Sequence, residues 1–312
     1  GYRNAVVIGA LLMTLGHAAM ALEVFSDPFF YLGLALLIVG NGLFKPNISS
    51  MVGQLYKNQG KEKDAGYTIF YMGINAGAFL GILLCGYIGE SVGWHYGFGL
   101  AGIFMFFGML QFYFAQGIFG RIGLSPSKMK DFDDAVEHTT EDVVDVVEDT
   151  MDDAEKAIVT KDRLLVIGVL AFFTIFFWWA FEQAGGSMTI FAADYTDRLL
   201  VGDGALTFKI FNTILTVVPM LIITWVLGML FKQTYAKYAL SNILLGTSFV
   251  IIWGIVIWML VREFNADVAE VKASWFGILN SFFIIAFAPL FSKLWQSKYN
   301  PSGPVKFAIG LI

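Results

Sequence analysis

Apolar runs long enough to cross a bilayer recur at roughly 4 to 22, 29 to 55, 65 to 89, 96 to 119, 164 to 192, 207 to 231, 238 to 261 and 274 to 296, and another begins near Val305. Eight spans and the start of a ninth are therefore expected. The runs show no period-two alternation, which predicts helices rather than the strands of a barrel, because a lone helix satisfies its own backbone in lipid. Polar positions fall mainly in the connections. Of the 20 basic residues, fifteen lie in one alternating set of connections and four in the other, and Lys45 stands apart inside a run. The richer set is expected on the cytoplasmic side.

One connection, 121 to 163, is long and hydrophilic, and twelve of the 25 acids fall between Asp131 and Glu155. Three regions follow: 1–120 with four spans, an acidic cytoplasmic linker at 121–163, and 164–312 with the remaining spans. Val136, Val143, Val147, Met151, Ala154 and Ile158 recur in the linker at three- to seven-residue steps, so part of it is expected as an amphipathic helix or a solvated tether. Composition agrees with the pattern: 57% hydrophobic and 16% aromatic residues give the class of an all-α membrane protein. The one cysteine, Cys85, excludes an internal disulfide and reads as a packing residue. The chain itself is expected to be a piece of a longer protein.

Against that apolar background, a few polar residues draw attention. Lys45 stands in Gly40-Asn41-Gly42-Leu43-Phe44-Lys45-Pro46-Asn47, within an otherwise apolar helix. A cation inside a bilayer costs roughly 2.5 to 3.5 kcal/mol on the lenient scale, so it calls for a cavity, a partner or a ligand. A lysine near the interface that snorkels to water is the competing reading. Pro46 cannot donate to the Gly42 carbonyl, and helical spacing sets Asn41, Lys45 and Ser49 on one face. In the third run, Gly73, Gly77 and Gly81 repeat at the spacing of close helix packing, while Tyr67, Tyr71 and Asn75 repeat about 200° away. If the glycines pack, the second stripe faces a polar cavity or, for the tyrosines, the interface. Glu182 is the one acid deep within an apolar run, and Trp178 precedes it by a turn. Desolvation disfavours its charged form, which makes it a candidate proton carrier or a buried neutral group. His17 reads as a packed polar residue, and Asn280 with Ser281 forms a polar pair in the eighth run. Metal clusters, nucleophile elbows, phosphate loops and basic nucleic-acid patches are absent from the sequence, which suits transport better than catalysis.

Three stretches in order, Gly40 to Ser50, Phe70-Tyr71-Met72-Gly73-Ile74-Asn75-Ala76-Gly77 and Phe181-Glu182-Gln183-Ala184-Gly185-Gly186-Ser187, resemble the proton-coupled oligopeptide transporter family of the major facilitator superfamily. The resemblance implies a partial twelve-helix bundle, from the third core helix to early in the ninth, with an extra helix pair at 207–261 expected at the periphery. It implies symport of di- and tripeptides with protons by alternating access in the inner (cytoplasmic) membrane, with no cofactor beyond the coupling proton and no enzyme activity. By position it implies that Lys45 engages the peptide carboxylate and shares proton coupling with Glu182. Asn41, the neighbour of Lys45 on its helix face, joins Tyr71, Asn75, Trp178 and Asn280 as the substrate-binding set. Ser281 stands where the family often has proline. Other cargo on the same fold, such as nitrate or an amino-acid derivative, is the nearest alternative, ahead of a channel or a membrane enzyme.

Overall fold

The computed structural model describes residues 1–56, 60–125, 153–296 and 301–311. Among them, seven helices are long and apolar enough to cross a membrane. In chain order the elements are α1 (Tyr2–Ala21), α2 (Pro28–Leu55), α3 (Gly60–Gly81), a π turn (Ile82–Gly86), α4 (Tyr87–Ser91) and α5 (Trp94–Ala115). Then come α6 (Asp153–Phe181), α7 (Ser187–Tyr195), β1 (Leu199–Leu200), α8 (Gly202–Thr234), α9 (Ala239–Asn265), β2 (Ala269–Glu270), α10 (Ile278–Gln296) and α11 (Gly303–Leu311). Each apolar run has become helix. The eighth begins with a 3-10 turn at Ala273–Gly277, and its apolar helical stretch, Ala273–Phe287, is shorter than the seven. The acidic residues from Asp131 to Asp152, and with them most of the expected amphipathic helix, lie outside the described residues.

The chain forms two compact units, one of Gly1–Ser125 with Thr196–Ile312 and the other of Pro126–Tyr195. In the first, α1 and α2 cross through facing glycines. A Cβ added to Gly9 would lie 2.7 Å from the Gly40 carbonyl oxygen, and one added to Gly33 would lie 2.7 Å from that of Gly16. The pairing of Gly9 with Gly40 and Gly16 with Gly33 sets the two helices antiparallel. Their seven-residue spacing returns to nearly the same face after two turns, so two backbones meet along a seam where no side chain fits.

The core of this unit gathers Phe79, Leu83, Leu84 and Tyr87 from α3, the π turn and α4, with Met220 from α8, Ile252, Val256 and Met259 from α9, and Trp275 and Ile278 at the start of α10. Tyr87 stacks on Trp275 with centroids 5.9 Å apart, and the Trp275 indole donates to the Leu83 carbonyl at 3.3 Å. The helix pair around 207–261 is therefore part of a core and not the peripheral attachment expected from its lack of an evident functional polar group. Its apolar side chains had two destinations, lipid or protein, and composition does not choose between them. At the other end of the unit, the Arg3 guanidinium donates to the carbonyls of Ile122 at 2.7 Å and Gly120 at 2.5 Å, holding the segment after α5 against α1.

In the second unit, α6 is apolar on all sides from Leu164 onward, and every residue from Thr160 to Met188 is exposed. Such a helix is suited to lipid or to other helices rather than to water. The run at 164–192, read as one span, is broken after Phe181 by a 3-10 turn at Glu182–Ala184, followed by Gly185, Gly186 and α7.

Candidate substrate and proton site

The proline in α2 sets the local chemistry. Around Pro46 three polar side chains bond back to the helix that carries them: Asn47 Nδ2 donates to the Leu43 carbonyl at 2.6 Å, Ser49 Oγ to that of Lys45 at 2.9 Å, and Ser50 Oγ to that of Pro46 at 2.9 Å. Such bonds take up carbonyls in the turns about a helix irregularity and favour bending. Asn41 and Lys45 lie on the exposed part of α2, one position round from Gly40 and Phe44, which face α1. Ser49 shares their face, but its hydroxyl is committed to the backbone.

On α3 the two stripes have roles opposite to the simplest sequence reading. Nothing lies within 4 Å of a Cβ built on Gly73, Gly77 or Gly81. These glycines instead line a cavity of about 700 Å³ with His17, Leu80, Phe104, Gln111 and residues of α8 and α9. The Tyr67 hydroxyl donates to the Ser49 carbonyl at 3.1 Å, joining α3 to α2 over Gly53, where an added Cβ would sit 2.6 Å from that hydroxyl oxygen. Asn75 is 6% exposed and its Nδ2 donates to the Tyr71 carbonyl at 2.9 Å. Tyr71 is 52% exposed. The reversal follows from size: Phe79 and Leu83 continue the Asn75 stripe and fill the core, so the bulky face packs and the small face is left open.

α10 packs along α3 and carries Asn280, which is exposed, beside Ser281, which is 4% exposed. Lys45, Asn41, Tyr71, Asn75 and Asn280 thus belong to the first unit, on three helices of which α3 touches both others. Trp178 and Glu182 belong to the second. Thr174, Trp178 and Glu182 follow one another at four-residue steps along one stripe, with Ala171 and Ile175 beside them. Glu182 opens the 3-10 turn, and its carbonyl accepts from the Gly185 N–H at 3.2 Å. Gln183 bonds to the Trp179 carbonyl at 3.3 Å and accepts from Ser187 Oγ at 2.6 Å, so the break in the helix is closed by its own side chains. Trp178 packs edge-on against Phe177 and Phe181, with centroids 5.5 Å away in each case. A carboxylate at a helix break has main-chain groups free of the helical ladder nearby, a setting common to ion paths in membranes. Among the described residues no cluster of His, Cys, Asp or Glu suits a metal ion.

Comparison with known proteins addresses the resemblance directly. The family model described as POT family matches residues 3–136. Over its full length the chain is 31% identical to the peptide transporter YePEPT of Yersinia enterocolitica, covering 57% of that protein. The chain is also similar to a di-/tripeptide transporter of Lactococcus lactis subsp. cremoris, at 28% identity over its full length and 58% of the relative. A solved structure, the peptide transporter POT in complex with sulfate, matches all of this chain and 57% of that one at 27% identity, with a TM-score of 0.48. The chain spans rather more than half the length of the relatives it matches. Seven long apolar helices among the described residues, together with transporters as relatives, mark the chain as a multi-pass membrane protein.

Proposed function

We propose that the full-length protein is a symporter that carries di- or tripeptides with protons across the cytoplasmic membrane by alternating access. The observation that carries this reading is Lys45: a cation on the exposed face of a proline-interrupted helix, in a stretch that matches the POT family model. An ammonium in low dielectric is matched by a peptide carboxylate, and Asn41 beside it offers neutral donors and an acceptor. Tyr71, Asn75 and Asn280 supply further polar groups from α3 and α10, while Trp178 supplies an apolar wall. Glu182, with Lys45, carries the coupling: one proton more or less on the acid changes the charge that the membrane interior must accommodate. The coupling proton is the one cofactor required. The linker 121–163 lies on the cytoplasmic side in this reading, where the basic connections also lie. The named relatives are transporters, and no catalytic role is proposed for any residue.

Cargo is tested by competition. In liposomes holding the full-length protein, excess unlabelled dialanine should abolish proton-driven uptake of a labelled dipeptide, whereas nitrate or a single amino acid should leave it unchanged. Inhibition by nitrate at concentrations where dialanine has no effect would move the cargo to another class.

A further inference from the structure

Charged residues outside the candidate site gather at one end of the first unit, where three connections meet. Glu90, near the end of α4, uses both carboxylate oxygens: Oε2 accepts from the Ala273 N–H at 3.0 Å and Oε1 from the Ser274 N–H at 2.9 Å. These are the first residues of the 3-10 turn that leads into α10. Arg198 Nη1 lies 4.0 Å from Glu90 Oε2 and 3.1 Å from Glu270 Oε1, and donates to the Val271 carbonyl at 2.8 Å. Lys272 Nζ meets the other oxygen of Glu270 at 2.8 Å. A short antiparallel ribbon, Leu199 opposite Glu270 and Leu200 opposite Ala269, ties the two flanks of the α8–α9 pair together. Arg262 donates to the Ser91 carbonyl at 3.3 Å. All of this lies at the ends of spans next to the connections that are poor in basic residues.

Glu90 belongs to the first four spans, and Ala273 and Ser274 introduce the eighth. In a transporter whose halves part on one side of the membrane at a time, a bond between those spans at one surface is closed in one state and stretched in the other. We propose that Glu90 is a latch that holds shut the membrane side bearing Arg198 and Lys272, with the ribbon and Arg198 fixing the turn it grips. This inference rests on the alternating-access reading above. The latch is directional. Two charge-assisted bonds from adjacent N–H groups need a carboxylate with both oxygens accepting, so an amide of the same size keeps one bond and sets its NH₂ against the other donor.

Ser274 provides the readout, since its hydroxyl oxygen is buried without a hydrogen-bond partner and faces Gly86. In the full-length protein with its other cysteines replaced, a cysteine introduced as Ser274→Cys is exposed to a membrane-impermeant maleimide only when the latch opens. With Glu90 intact, labelling is slow; in Glu90→Gln it rises roughly tenfold, the change expected from losing one charged hydrogen bond. Glu90→Asp, which keeps the charge and shortens the reach, gives a smaller rise, and it serves alone if the Gln variant is not recovered as a monodisperse protein. Equal labelling in the native and substituted proteins overturns the latch. Dipeptide uptake is measured in parallel. Uptake with unchanged labelling sinks the latch alone, whereas changed labelling without uptake of any peptide sinks the cargo reading and leaves the latch standing.

Discussion

Lys45 and Glu182 are the residues on which the functional reading turns, and they were visible in the sequence for the same reason: each is a formal charge in an apolar run. Their surroundings were not visible. Spacing put Ser49 with Lys45 as a polar partner, but the hydroxyl closes onto the Lys45 carbonyl, because a serine one turn on reaches that oxygen before anything outside the helix. Asn75 likewise bonds to the Tyr71 carbonyl. Glu182 read as an acid in mid-helix and is instead the first residue of a 3-10 turn; the signal that could have shown this is the Gly185-Gly186 pair just after it. At this scale the expected outcome is specific. Lys45→Ala should raise the apparent KM for a dipeptide by roughly 30-fold or more, the loss that follows removal of one partner from a hydrogen-bonded charge pair. Its effect on a substrate lacking the carboxylate should be small, as measured by uptake of a dipeptide amide.

At the scale of elements, the helices were legible and their contacts were not. Long apolar runs fix helix and span, whereas glycine spacing alone says only where a close approach is possible. The four-residue series on α3 lines a cavity, and the seven-residue pairs on α1 and α2 make the tight crossing. The difference lies in what stands beside the glycines, since Phe79 and Leu83 claim the packing face of α3. The π turn at Ile82–Gly86 has no counterpart in the residue pattern. Two tests belong here. Gly33→Leu should destabilise the protein by about 1–3 kcal/mol through overpacking, seen as a lower Tm in detergent, whereas Gly77→Leu should be far better tolerated. The Lys272 ammonium, hydrogen-bonded to Glu270 and helped by Arg198, holds the Glu270 carboxyl below the usual carboxylate range. Its contribution to the ribbon is therefore present above the unfolded carboxylate value and is lost as pH falls through the lower folded value. The Tm difference between the native protein and Glu270→Gln should persist through mildly acidic pH and close only in stronger acid.

For the whole molecule, the class of a helical membrane protein was within reach of the sequence, since long apolar runs are a chain-wide signal. The place of the α8–α9 pair was not, because its scattered polar residues, among them the buried Asn212, Thr216, Asn242 and Ser248, do not say in the sequence which neighbour they will face. In the first unit it shares a core with α3, α4 and the start of α10, and it is flanked by the ribbon next to Glu90. Deleting the pair should therefore unfold this unit and not merely shorten the protein, as judged by loss of a monodisperse peak in detergent.

The central claim is that Lys45 and Glu182 couple peptide movement to protons. It is tested most directly by full-length protein in liposomes with an inward proton gradient and a labelled dipeptide. The native protein should accumulate the peptide above its external concentration, and Glu182→Gln should abolish that accumulation while still exchanging peptide across the membrane down its own gradient. Full proton-driven accumulation by Glu182→Gln would contradict the account.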